Sequence, residues 1–171
     1  AAGGDDTSLA NGSNTNFAIT NSGLIDGLTF GLGAGTSSYD DTSVDGQEDG
    51  SSAVAFANYT MGPATVGITL SDSANVRSGT AVNTNVGGRE VEAYGVAFAI
   101  SDNLSVSYNE HNMTYRKAGA GPDVEQESTG VAIAYTMGGA SLVIQNNEQD
   151  NSGGTAGSND EITEVSLSLA F

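Results

Sequence analysis

Bulky apolar residues alternate with small or polar ones along most of this chain. Val165, Leu167, Leu169 and Phe171 are interleaved with Glu164, Ser166, Ser168 and Ala170. The same period of two runs through Tyr94–Ile100, Leu28–Ala34, Val66–Leu70 and Leu104–Tyr108. Successive side chains of an extended strand point to opposite faces, so this pattern predicts strands with one apolar face. We expect nine of them, near residues 15–21, 27–37, 51–61, 64–73, 89–100, 103–113, 127–137, 140–149 and 160–171. Helical periodicity is nowhere sustained.

The connections alternate in length. Short turns fall at Ser22–Asp26, Met61–Pro63, Ser101–Asn103 and Met137–Gly139, and long polar segments at 38–50, 74–88, 114–126 and 150–159. Tyr59-Thr60-Met61-Gly62 returns as Tyr135-Thr136-Met137-Gly138, 76 residues on, which is the spacing of two hairpins. One up-down module is therefore repeated. Short loops on one side and long hydrophilic loops on the other predict an all-β, antiparallel up-and-down barrel that crosses a membrane with its strands, as a single domain over residues 1–171.

A water-soluble β-sandwich also alternates, but its outward face carries Lys, Glu, Thr and Arg. Here the second face is mostly Gly, Ala, Ser and Thr, which suits a lumen wall better than a soluble exterior. No Lys protects a strand edge, which points to closure. One irregularity stands out. Val54 and Phe56 share a parity that Tyr59 does not, which calls for a bulge near Ala57–Asn58 or a different face for that strand.

The charge balance is 4 Lys plus Arg against 21 Asp plus Glu, a net charge of −17. Nucleic acid is an unsuitable partner, because phosphate neutralisation needs clustered cations. The absence of Cys removes disulfides, thiolate metal sites and thiol nucleophiles. No run reaches the length of a transmembrane helix.

The ending Glu164-Val165-Ser166-Leu167-Ser168-Leu169-Ala170-Phe171 resembles the terminal strand of bacterial outer-membrane barrels. Asp26-Gly27-Leu28-Thr29-Phe30-Gly31, Tyr59-Thr60-Met61-Gly62 and Ser101-Asp102-Asn103-Leu104-Ser105-Val106-Ser107-Tyr108 resemble periplasmic turns of general porins, most of all those of alphaproteobacteria. The resemblance covers about residues 15 to 171. It implies a Gram-negative outer-membrane location, a homotrimer of 16-stranded barrels, and passive diffusion of small hydrophilic solutes and ions. It also implies contact with lipid and lipopolysaccharide, and a final aromatic read by the barrel-assembly machinery. The chain departs from the family in showing only nine strands, while antiparallel closure needs an even number. We therefore expect it to be the carboxy-terminal part of a longer chain, with the constriction loop mostly in the other part.

On this reading Ser105, Ser107, Asn109, Glu164, Ser166 and Ser168 line the pore, and Tyr59, Phe98, Tyr135 and Phe171 form the periplasmic aromatic girdle. Loop acids at the external rim favour cations. Asp40, Asp41, Asp45, Glu48 and Asp49 form an acidic cluster that could hold Ca²⁺ loosely. Asp41-Thr42-Ser43-Val44-Asp45-Gly46 imitates a calcium loop, yet Ser52 stands where the bidentate Glu belongs. The lone His111 near Ser105 and Ser107 lacks an orienting partner and a nucleophile motif, so no enzyme is expected. No other cofactor is implied. Two other readings predict different behaviour: a secreted β-sandwich for binding or adhesion would fold without lipid, and a small barrel anchor would not conduct.

Overall fold

A computed structural model describes residues 12–39, 49–74, 86–117 and 121–170. They form β1 (Gly12–Asn21), β2 (Leu28–Tyr39), β3 (Gly50–Met61), β4 (Ala64–Ala74), β5 (Val86–Ser101), β6 (Leu104–Lys117), β7 (Val124–Met137), β8 (Ala140–Asp150) and β9 (Asp160–Leu169). A three-residue 3-10 turn, Ser152–Gly154, lies between β8 and β9. All nine strands join one antiparallel sheet in sequence order. β1 and β9 are its two edges, so the sheet is open.

The short turns share one end of the sheet. Met61 pairs with Ala64 and Met137 with Ala140, leaving two-residue turns at Gly62-Pro63 and Gly138-Gly139. In each, the first central residue alone has positive φ, 57° at Gly62 and 58° at Gly138. That is the type II′ pattern, whose twist matches the flanking strands, and it explains why the repeated tetrapeptide ends in Gly. The β1–β2 turn is longer. There the Asn21 side-chain oxygen accepts from the amides of Gly23 and Leu24 at 3.1 and 3.0 Å.

Strand pairing sorts the side chains into two faces. One row of partners is Leu28, Tyr59, Val66, Val96, Tyr108 and Val131, and the next includes Ala64, Phe98, Val106, Ile133, Ile144 and Val165. The opposite face carries the small and polar set. β3 runs through its pairing with β2 and β4 without a register shift, so there is no bulge at Ala57–Asn58. Instead Val54 and Phe56 point to the small-residue face, opposite Gly33 and Gly31, while Ala53, Ala55 and Ala57 take the apolar one. The register shifts that do occur lie in the β5–β6 pair, at Val86/Gly88 and Ala99/Ser101.

No hydrophobic residue is buried among those described. About twenty large apolar side chains of the strands are exposed on one face, Leu167 at 64% and Phe98 at 45% among them. Among the described residues only Val54 and Ile162 are exposed on the other. Among the described residues the sheet is thus a single layer with nothing packed on its apolar side.

The strands are staggered. Following partners from Asn21, the last residue of β1, through Phe30, Ala57, Ile68, Tyr94, Glu110, Thr129 and Glu148 leads to Glu161. Glu161 lies eight positions short of Leu169, the end of β9 level with the short turns. Eight residues over eight strand-to-strand steps is one residue per strand. With a rise of about 3.3 Å and a spacing of about 4.8 Å, that corresponds to a tilt of roughly 35°.

Candidate functional site

The small-residue face is where the chemistry that could meet a solute collects. Ser105, Ser107, Asn109, Glu164, Ser166 and Ser168 all lie on it. Ser107 pairs with Ala97 and Ala132, and Asn109 with Gly95 and Gly130. Glu164 accepts from the Gln145 amide at 2.5 Å, and Thr60 and Thr65 share a hydroxyl contact of 3.0 Å. In the middle of this face Gly67, Gly95 and their neighbours open a hollow of about 480 Å³, bordered by Asn58, Thr65, Thr69, Asn109 and His111.

Towards the long-loop end the same face carries Arg89, Tyr115 and Gln126. The Arg89 guanidinium sits 5.3 Å from the centre of the Tyr115 ring. Gln126 is 8% exposed, the one buried polar residue among those described. Its side-chain oxygen accepts from the Tyr115 hydroxyl at 3.3 Å and from the Gly153 amide at 2.9 Å. Asn151 donates to the Glu125 carbonyl at 2.9 Å and accepts from the Gly157 amide at 2.8 Å. Gly154, with φ of 73°, lies so close to Tyr115 that a Cβ there would sit 2.7 Å from the ring. The β8–β9 loop therefore folds over this face instead of extending beyond the strands.

Most acids within the strands lie on the apolar face, beyond its apolar band. Glu92, Glu110, Glu127, Glu148 and Glu161 belong to β5–β9, with Asp72 and Glu90 alongside. Glu110 accepts from the Tyr108 hydroxyl at 3.0 Å and from the Asn112 amide at 3.1 Å. Arg116 pairs with Asp72, and with Glu90 at 3.4 Å. The sequence pattern alone did not reveal this split: on the small-residue face, among the described residues, Arg89, His111, Tyr115, Asp160 and Glu164 are the charged or titratable groups whose register is continuous.

Tyr59, Phe98 and Tyr135 all lie on the apolar face near the short turns. Phe171 lies outside the described residues, as do Asp40, Asp41, Asp45 and Glu48. Asp49, which immediately precedes β3, is described. Among the described residues no group of three or more acids or His is arranged to hold a metal.

Sequence reasoning missed Asn58, Asn147 and Gln126. Asn58 was hidden by the anomalous parity of Phe56, and the others become visible only with the register. No protein-family model matches the chain, and no curated protein matches it.

Proposed function

We propose that the chain forms part of an outer-membrane β-barrel of the porin type, a passive diffusion channel for small hydrophilic solutes and ions. The observation that carries this reading is the uncovered apolar face of a staggered, single-layer sheet. Fully burying one large apolar side chain contributes about 1.5–3 kcal/mol. Leaving about twenty of them half-exposed forgoes on the order of 20 kcal/mol, more than the 5–15 kcal/mol by which whole domains are stable. That face needs a cover, and lipid is one that leaves the opposite face wet.

Several features support lipid over a second protein layer. The apolar band is about seven residues tall on most strands, on the order of 20 Å once tilted, against about 25 Å in outer-membrane barrels. Tyr59, Phe98 and Tyr135 stand at one border of the band, where an interfacial girdle belongs. Glu92, Glu110, Glu127 and Glu148 stand at the other border, at headgroup level. A tilt of roughly 35° is within the range that lets a sheet close. Closure joins the two edges through further strands, and a homotrimer, lipopolysaccharide contact and insertion by the assembly machinery follow from the family resemblance.

Transport would then be diffusion through water along the wall that carries Ser105, Ser107, Asn109, Glu164, Ser166 and Ser168, with no chemical step. Because most strand acids turn outward and Glu164 is the one acid on the middle of the wall, the wall itself carries little charge, and cation preference comes mainly from acids at the rim, screened by salt over roughly 8–10 Å. The test is reconstitution. Heat-modifiable migration on a gel and stepwise conductance in a planar bilayer are expected. A protein that stays soluble and folded without detergent would instead support the secreted sandwich, and a lipid-inserted but silent one the barrel anchor.

A further inference from the structure

Asn58, Gly67, Gly95, Asn109, Gly130 and Asn147 are successive register partners from β3 to β8. They form one lateral row on the small-residue face. The carboxamides lean over the glycines beside them: a Cβ on Gly130 would lie 2.6 Å from the Asn109 side-chain oxygen and 2.8 Å from that of Asn147. Asn58 lies over Gly67 in the same way. Glycine thus does two things here. It makes room for an amide laid against the wall, and at Gly67 and Gly95 it thins the floor of the hollow.

We propose that this hollow is a subsite for a neutral polyhydroxylated solute, a monosaccharide or a sugar alcohol. Its border supplies the carboxamides of Asn58 and Asn109 and the hydroxyls of Thr65, Thr69 and Ser107. A sugar hydroxyl both donates and accepts, and so do these groups, so each can satisfy it in either sense. A volume of about 480 Å³ falls within the range of small-molecule pockets. Charged solutes find little to pair with, since His111 is the one ionisable side chain that borders the hollow on this face. The backbone of Glu110 borders the hollow, but its carboxylate is held on the other face by Tyr108 and Asn112. An apolar solute would strip water from the amides without replacing its hydrogen bonds. A solute sliding along this wall therefore meets a band of neutral donors and acceptors at mid-height.

The proposal rests on the channel reading in taking this face as wet, so its test separates the two. Saturation-transfer NMR on the detergent-solubilised chain, with methyl glucoside and sorbitol as probes, should show transfer to both and little to a diol of similar length. Asn109→Ala should weaken binding about three- to tenfold, the size expected for one or two lost hydrogen bonds. Gly95→Val, which fills the floor, should abolish it, with a β-sheet circular dichroism spectrum showing that each variant still folds. No transfer to either polyol, or equal transfer in wild type and both variants, would overturn the subsite. Bilayer recording decides the channel independently. Conductance without transfer removes the subsite alone, and transfer without conductance removes the channel alone.

Discussion

The ring of Phe56 lies across Gly31, its register partner on the neighbouring strand, where any Cβ would collide with it. A large aromatic on the small-residue face is thus accommodated by the absence of a side chain opposite. Gly31→Ala should therefore destabilise the chain by about 1–3 kcal/mol, the usual cost of overpacking. Phe56→Ala in the same chain should recover most of that loss. Urea titrations of the two single variants and the double variant measure the coupling, and additive effects would contradict the contact.

The apolar face gives a second prediction. Ile133 sits mid-band between Val106 and Ile144. In lipid vesicles Ile133→Arg should cost about 2–4 kcal/mol, the penalty of a cation near the middle of the bilayer. Ser107→Arg, on the opposite face, should cost little in the same assay and should instead lower single-channel conductance. Equal tolerance of the two substitutions would argue against lipid on the apolar face.

The inward-folded loop supplies a third. Gln126→Leu removes the acceptor for the Gly153 amide and the Tyr115 hydroxyl, and Gly154→Val places a branched side chain at positive φ against the ring. Each should free residues 151–159, costing about 1–3 kcal/mol locally. Amide hydrogen exchange should rise at Gly153 and Gly157 and stay unchanged at Val165. On the proposed channel reading, conductance should increase as the loop leaves the small-residue face.

Glu164 is the one acid on the middle part of the small-residue wall. Glu164→Gln keeps the shape and removes one negative charge, so cation-over-anion permeability should fall modestly, by about twofold or less at 0.1 M salt, where the Debye length is about 10 Å. Reversal potentials under a salt gradient provide the measurement. Anion preference in the unaltered protein would overturn the idea of an acidic rim that favours cations.

Arg116 gives a prediction of small effect. It is partly exposed and pairs with Asp72 and Glu90. Arg116→Ala should change stability by no more than about 1 kcal/mol, and less in high salt.

Nine strands were legible because a period of two is a local signal, read without knowing what lies across the sheet. Their long-loop ends were not: β6 continues to Lys117 and β7 begins at Val124, through Thr114, Arg116 and Glu125, where no alternation remains. Pairing between neighbours carries those residues, and pairing is not written in either strand alone. Phe56 was misleading for the same reason, since the glycine that admits it stands 25 positions earlier. The asparagine row needs the register of six strands before it exists at all. The inward path of residues 151–159 depends on positive φ at Gly153, Gly154 and Gly157 and on one buried amide, none of which has a periodic signature.

The two-residue turns at Gly62 and Gly138 act as phase markers. Each fixes the parity with which the chain re-enters the sheet, and a slip of one position would turn Leu and Val to the small-residue face and Asn and Ser to the apolar one along the whole strand. Length changes should therefore be tolerated very unevenly. Several added residues beside Gly121 would lengthen a loop, whereas a single residue added between Met61 and Ala64 would either reshape the turn or invert every position of β4.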